Sequence, residues 1–318
     1  MDFKETKILI IGLGSIGQRH YNNLRSLGFK NVSIFDTDVT KLANKQNAIF
    51  QLKRSELGQF RVVFICNPNN EHVKTARMCV EAGCDIFVEK PVSNDQRGLK
   101  ELICMCERNK IVNMVGCNMR FHPCISFINN FIKNKGLGKV FNIRHEFGYY
   151  LPSWRPGQDY RKNYAAKKET GGGIVLDDIH EFDLLFWLNN FEAIDQYKII
   201  SSKVSKLEIE TEDQAAGIFR FKNKVVGIVS CDYLSQKYHR TIRITGEYGN
   251  LQWSYSNNEV IFESKDKVSR IFYDDHFETN QMYLTEAEYF MEKVRSREKT
   301  FNNIERAAQT LKVIKNLN

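Results

Sequence analysis

The sequence predicts a two-domain α/β protein: an N-terminal doubly wound parallel sheet, followed by an α+β domain with a large, mainly antiparallel sheet. Three observations carry this. Over the first 120 residues, short β-branched runs alternate with longer stretches of helical period, the rhythm of a parallel sheet covered on both faces. After about Phe121 that rhythm stops. Between about Lys198 and Ile271, strand-like runs follow one another without intervening helices, which indicates antiparallel pairing. A length of 318 residues suits two cores of ordinary size.

The predicted N-terminal strands are 7–11, 31–35, 48–52, 61–66, 85–88 and 111–116, and the helices between them include 15–27, 70–82 and 95–109. Right-handed crossovers make this a doubly wound sheet. A helix over about 122–135 runs into Gly136 and Gly138, and the polar, aromatic stretch 149–170 reads as a long loop, a length that usually signals function. Gly171, Gly172 and Gly173 introduce an apolar helix to about Trp187. Strands follow at 215–221, 225–231, 241–246, 250–255 and 260–263, and helices at 280–295 and 304–317 close the chain.

Composition narrows the function classes. Hydrophobic residues at 42% and charged residues at 26% describe a folded chain rather than a disordered one. No apolar run approaches the roughly 18 residues needed to cross a bilayer, and Asp2, Lys4 and Glu5 do not begin a signal peptide, so no membrane partner and a cytoplasmic location are expected. The eight cysteines lack paired CxxC or Cys/His zinc spacing and are expected to be reduced core residues, with no metal bound. The net charge of +8 is concentrated: between Lys133 and Lys168, nine Lys and Arg face two acids, Glu146 and Asp159. A local basic segment without a reading module suits a small anion better than nucleic acid, which is not expected as a partner.

The first predicted strand runs into Gly12-Leu13-Gly14-Ser15-Ile16-Gly17, a GxGxxG at a strand-to-helix turn. Gly12 permits the turn, Gly14 lets a pyrophosphate approach the backbone, and Gly17 allows close helix-strand packing, while Ser15 and Ile16 open the helix whose free N–H groups meet the phosphates. Asp36, 24 residues after Gly12, ends the next strand where a carboxylate accepts hydrogen bonds from ribose hydroxyls and repels a 2′-phosphate. NAD is thus expected over NADP. Asn67-Pro68-Asn69 with His72, and Glu89-Lys90-Pro91, fall at the carboxyl ends of later strands, where ligands of open α/β sheets bind. Asp177 and His180 are three apart, so on one helix they share a face.

These elements, together with Arg120-Phe121-His122-Pro123 and the triple glycine before His180, resemble the Gfo/Idh/MocA oxidoreductase family, over nearly the whole chain. The resemblance implies an NAD-binding Rossmann domain over 1–121, with the C-terminal helix 302–318 packing back on it, and a substrate-binding, oligomerising α+β domain over 122–301. It implies that Lys90 lies beside the nicotinamide and the reacting hydroxyl, that the following peptide bond is often cis, and that Asn67, Pro68, Asn69, His72 and Glu89 border the cofactor. His180 is the expected general base, with Asp177 as its acidic partner. Many relatives place the histidine four positions after the acid, so Asp178 is an alternative inward acid. In relatives a Trp-Arg pair in the central loop approaches cofactor and substrate, which singles out Arg155, Tyr160 and Tyr164; Arg120 joins them as a substrate contact, and Asn280 and Tyr283 resemble a helix start that borders the pocket in some members.

The expected function is therefore NAD-dependent hydride transfer from a secondary hydroxyl of a sugar derivative, a nucleotide sugar or other anionic sugar by the charge argument, in a homodimer or homotetramer. The alternatives are a neutral sugar or inositol as substrate, or a catalytically silent NAD-binding sensor.

Overall fold

A computed structural model describes residues 2–43 and 45–315. Near the N-terminus lie β1 (Ile8–Ile11), α1 (Ser15–Ser26), β2 (Val32–Phe35), β3 (Ala48–Ile49), β4 (Val62–Ile65), α2 (His72–Glu81), β5 (Asp85–Glu89), α3 (Leu99–Arg108) and β6 (Asn113–Gly116). The middle of the chain forms α4 (Pro123–Lys133), β7 (Val140–Gly148), α5 (Ile174–Asp177), α6 (His180–Leu188), β8 (Ile194–Ser202), β9 (Gln214–Phe221), β10 (Val226–Asp232), β11 (His239–Gly246), β12 (Gly249–Ser254), β13 (Glu259–Glu263) and β14 (Val268–Tyr273). Two helices follow, α7 (Thr279–Ser296) and α8 (Ile304–Lys315). Among the described residues no helix is long and apolar enough to cross a membrane.

The chain divides into two units, one built from residues up to Asn118 together with 280–315, the other from 119 to 279. In the first, six parallel strands take the order β3-β2-β1-β4-β5-β6. This is the doubly wound order whose reversal point lies between β1 and β4. β1, β4 and β5 are buried along their whole length, which is why they read as continuous apolar runs rather than alternating ones.

The units meet at Asn118/Met119, close to the expected 121/122, but residues 280–301 fall in the first unit rather than the second. Helix α7 belongs to the first unit because Phe290 packs edge-on against Phe64 and Phe87, with ring centroids 5.6 Å apart in both pairs. The segment before α8 covers the β6 edge, Val115 donating to the Asn302 carbonyl at 2.9 Å and the Asn302 amide donating to the Val115 carbonyl at 2.7 Å. Residues 316–318, the end of the expected final helix, lie outside the described residues.

The second unit is an eight-stranded sheet in the order β14-β13-β12-β11-β7-β10-β9-β8, antiparallel except for β7 with β10. Helices α5 and α6 pack on one face of its centre, and α4 packs against β13 and β14. Three strands escaped the sequence reading. β7 puts His145 between Ile143 and Phe147 on its buried face, so its alternation is masked by a core histidine. β8 and β14 are edge strands, largely exposed. Of the eight free cysteines, seven are buried; Cys104, on the outer face of α3, is exposed and departs from the expected core role.

His122 caps α4, its Nδ1 accepting the Cys124 N–H at 3.2 Å, and its ring is enclosed by Trp253 and Phe277 at centroid distances of 5.1 and 4.3 Å. Burial, followed by the positive charge of Arg240, pushes its pKa down to about 3. The unfolded chain, titrating near ~6.5, takes up a proton that the folded one refuses. This contribution to stability is complete above about pH 6.5 and is lost as pH falls towards about 3. His122→Phe should cost about 1 kcal/mol at pH 7 through the lost cap. It should also flatten the decline between pH 6.5 and 4 in denaturant titrations of the second unit; an unchanged slope would contradict the assignment.

Candidate active site

In the first unit the site begins where β1 turns into α1. Gly12 has φ +95°, and a Cβ there would lie 2.5 Å from the Asn67 nitrogen and 2.6 Å from the Cys66 carbonyl. A Cβ on Gly17 would stand 1.9 Å from the Gly12 oxygen. Gly14 is the opposite case: nothing lies within 4 Å of its Cβ position, and it caps α1 without any side-chain hydrogen bond. The three glycines therefore serve the turn, the helix packing and an open approach to the uncapped amides of Ser15, Ile16 and Gly17. That cradle fits a dinucleotide pyrophosphate. Asp36, at the end of β2, accepts the Leu13 N–H at 2.6 Å and the Asp38 N–H at 2.8 Å, one on each carboxylate oxygen. Each oxygen keeps a lone pair for a ribose hydroxyl. Lys41 stands 3.3 Å away, a cation the sequence reading overlooked.

The other expected cofactor residues divide. Asn67, Pro68 and Asn69 lie at the end of β4, the Asn67 amide donating to Thr75 at 2.9 Å. His72 is turned inward. Its Nδ1 lies 2.9 Å from the Pro91 carbonyl and its Nε2 2.8 Å from the Asn67 carbonyl. It ties the two strand-end loops together rather than facing a ligand, and burial lowers its pKa against the opposing pull of the two carbonyls. Glu89 is also turned inward, to His20 at 2.6 Å, while Lys90 beside it is half-buried and precedes a cis peptide bond to Pro91. Asn280 and Tyr283 belong to this unit and meet α1: the Asn280 amide donates to Asn23 at 2.9 Å, and Arg19 lies 4.3 Å from the Tyr283 ring.

In the second unit the triple glycine lets the chain pass close under other segments. A Cβ on Gly172 would lie 2.4 Å from the Tyr164 and Ala165 carbonyls, and one on Gly173, where φ is +101°, 2.3 Å from the Glu212 carboxylate. The following helix is not continuous. It breaks at Asp178, φ −108° and ψ 43°, so Asp177 ends α5 and His180 opens α6 instead of stacking one turn apart as the spacing suggested. His180 is 6% exposed.

Asp177 accepts hydrogen bonds from the Tyr164 hydroxyl and, at 2.9 Å, the Tyr233 hydroxyl. Burial, then the Asp177 carboxylate, pushes both phenols well above the ordinary tyrosine range, so both remain donors. Asp178 is committed elsewhere, to Arg240 at 2.6 and 2.8 Å. Arg240 also approaches Glu181 at 2.8 Å, off the hydrogen-bond direction, and Glu181 meets His145 at 3.3 Å. This buried network spans the helix break on both sides of His180. Tyr233 and Arg240 come from β-strand ends distant in sequence and carried no motif.

Arg155 stacks near Trp154 at 5.6 Å, and its charge acts on Tyr164. Of the expected substrate residues, Arg120 is turned inward and Tyr160 meets a neighbouring main-chain group. The Arg120 guanidinium is fully buried and bidentate to Asp183 at 2.8 and 2.6 Å, so its charge is consumed inside the unit. The Tyr160 hydroxyl accepts the Glu208 N–H at 3.2 Å. The basic stretch also disperses. Lys133, Lys135 and Lys139 precede β7, whose nine residues separate them by roughly 26 Å from the loop that follows it. Arg161 pairs with Asp159 at 2.8 Å and Glu208 at 3.1 Å. Among the described residues no group of three metal-ligating side chains is present.

An open Rossmann cradle with a carboxylate at the β2 end defines an NAD-binding oxidoreductase domain, and comparison with known proteins agrees. Residues 6–117 match the oxidoreductase family with an NAD-binding Rossmann fold, and residues 126–252 match the GFO/IDH/MocA C-terminal domain. The chain belongs to the GFO/IDH/MocA family of NAD-dependent oxidoreductases. It is 23% identical to myo-inositol 2-dehydrogenase of Thermotoga maritima over 309 residues, covering 92% of this chain and 89% of that one. Its fold is shared by levoglucosan dehydrogenase in complex with NADH, at TM-score 0.86 and 18% identity over 98% and 95% of the two chains. It is shared equally by UDP-N-acetylglucosamine 3-dehydrogenase of Acidithiobacillus ferrooxidans, at TM-score 0.81 and 17% identity over 98% and 96%.

Asp36→Ser should keep the turn, since a hydroxyl still accepts a main-chain N–H, while removing the charge. NADH affinity should fall at least about tenfold and the NADH-over-NADPH preference should narrow, because Lys41 then meets a 2′-phosphate unopposed. Fluorescence titration of both cofactors checks this; an unchanged ratio would contradict the role of Asp36.

Proposed function

We propose that the protein oxidises a secondary hydroxyl of a sugar derivative, or reduces the corresponding ketone, with an anionic sugar such as a nucleotide sugar as substrate. The observation that carries the catalytic part is the pairing of chemistries. The cradle-bearing unit carries a lysine at the carboxyl end of β5, and the other carries a buried histidine at a helix start. NAD, when bound, supplies a hydride acceptor at nicotinamide C4. In this reading His180 removes the hydroxyl proton as the C–H bond breaks and returns it in the reverse direction. The Lys90 ammonium stabilises the negative charge that develops on the oxygen. Asp177, which accepts two tyrosine hydroxyls, orients the polar groups around the sugar. Relatives named as myo-inositol, levoglucosan and UDP-N-acetylglucosamine dehydrogenases support the sugar class.

The anionic preference rests on Arg155, which has no acidic partner among the described residues and whose fork suits a phosphate or carboxylate. A neutral substrate is the second reading, favoured by Glu208 and Glu210, which meet the loop at Arg161 and at the Lys168 N–H and offset its charge. For assembly we take the open face of the eight-stranded sheet, where Ile200 and Ile218 are exposed, as the homodimer or homotetramer contact.

Turnover of UDP-N-acetylglucosamine, myo-inositol and levoglucosan, followed by NADH absorbance, separates these readings. The account expects the anionic donor to react at least about tenfold better in kcat/KM and Arg155→Met to erase that advantage; reaction of the neutral polyols alone would remove the anion argument. Lys90→Met should lower kcat by about 100-fold or more with NADH affinity within a few-fold. A silent sensor would turn over none of the substrates, and an unaffected rate in Lys90→Met would overturn the catalytic assignment.

A further inference from the structure

His20 lies three residues after Gly17, on the side of α1 that packs against the sheet. It is fully buried among Phe87, Phe64 and Tyr283, with centroid distances of 4.9, 5.3 and 6.3 Å. A histidine in that aromatic nest demands a polar reason. Its Nε2 lies 2.6 Å from Glu89 Oε1, and Nδ1 has no partner among the described residues. The other Glu89 oxygen accepts the main-chain N–H of Lys90 at 3.1 Å. Space for the carboxylate is kept by Gly116, where a Cβ would stand 3.1 Å from Oε1. The pair therefore spans two parts of the site with one short chain of hydrogen bonds. At one end is the helix whose N-terminus forms the phosphate cradle; at the other is the peptide that carries Lys90.

We propose that His20 and Glu89 form a positioning pair for Lys90: the imidazole fixes the carboxylate, and the carboxylate fixes the Lys90 peptide, so that the ammonium is registered against whatever α1 binds. Neither residue contacts the reacting atoms. Their effect is on the placement of another group, and a misplacement of about 1 Å costs on the order of 100-fold in rate. The inference rests on the assignment of Lys90 to catalysis, and it extends that assignment by saying what holds the lysine in place.

The spectroscopic arm of the test uses the full chain with its lysines reductively dimethylated by 13C-formaldehyde, the Lys90 signal being identified by its loss in Lys90→Met; the kinetic arm uses the unmodified full chain. His20→Phe preserves the aromatic packing and removes the hydrogen bond; His20→Gln replaces Nε2 with an amide donor. In His20→Phe the Lys90 resonance should shift or broaden while the other lysine signals stay in place. The kcat for the substrate turned over should fall about 10- to 100-fold, with the KM for NAD within about threefold. His20→Gln should restore much of both. Should His20→Phe fail to fold, Glu89→Gln carries the same measurement, since it keeps the side-chain size and cannot accept from His20 and Lys90 as before. An unmoved Lys90 resonance, or a parallel loss of NAD affinity and melting temperature with no change in kcat, would overturn the proposal. If Lys90→Met itself retains turnover, it is the catalytic reading that fails; if Lys90→Met is dead while His20→Phe is fully active, only the positioning role fails.

Discussion

The close approach of two main-chain segments governs the N-terminal unit. Gly12 passes the Cys66–Asn67 peptide with no space for a side chain, and Gly17 meets the Gly12 carbonyl just as tightly. This contact sets α1 against the carboxyl edge of the sheet at the point where strand order reverses, between β1 and β4. The uncapped start of the helix, the Asp36 carboxylate and the Asn67 loop are neighbours because of it. A side chain at either position would separate them, and the anion-binding geometry would be lost before any ligand arrived.

The second unit solves a different problem, that of keeping several acids buried around a helix break. Asp177, Asp178, Glu181 and Asp183 fall within seven residues of one another and all are buried. Each has a partner suited to its place: tyrosine hydroxyls for Asp177, Arg240 for Asp178 and Glu181, Arg120 for Asp183. Breaking such a pair leaves an uncompensated buried charge, so these contacts fix conformation more than they add stability. Their collective effect is to hold the short α5 and the start of α6 in one arrangement, with His180 at the junction.

Much of this was legible in the sequence, and what was not has physical causes. The glycine pattern, Asp36 and the β-α-β rhythm depend on local spacing, and the structure places them accordingly. Three-residue spacing implies that Asp177 and His180 share a face of one helix; a backbone break at Asp178 is invisible to periodicity. Glu89 is expected at a ligand because its motif ends a strand, and Arg120 because of the family resemblance, but their partners, His20 and Asp183, are 69 and 63 positions away. The one readable sign was His20 itself, a polar residue on the sheet-facing side of an amphipathic helix. The basic stretch misled because charge along a sequence does not remain together once β7 extends through it.

The central claim is that the N-terminus of α1 is a dinucleotide seat, and Gly14 offers a direct test. A Cβ there meets no protein atom within 4 Å, and its φ of −72° and ψ of −171° accept any residue. Gly14→Val therefore leaves the folded protein intact and fills only the space assigned to the pyrophosphate. Fluorescence titration with NADH should show affinity falling by about 100-fold or more, with the melting temperature lowered by no more than the few degrees a poorer helix cap costs. Wild-type affinity in that variant would contradict the account.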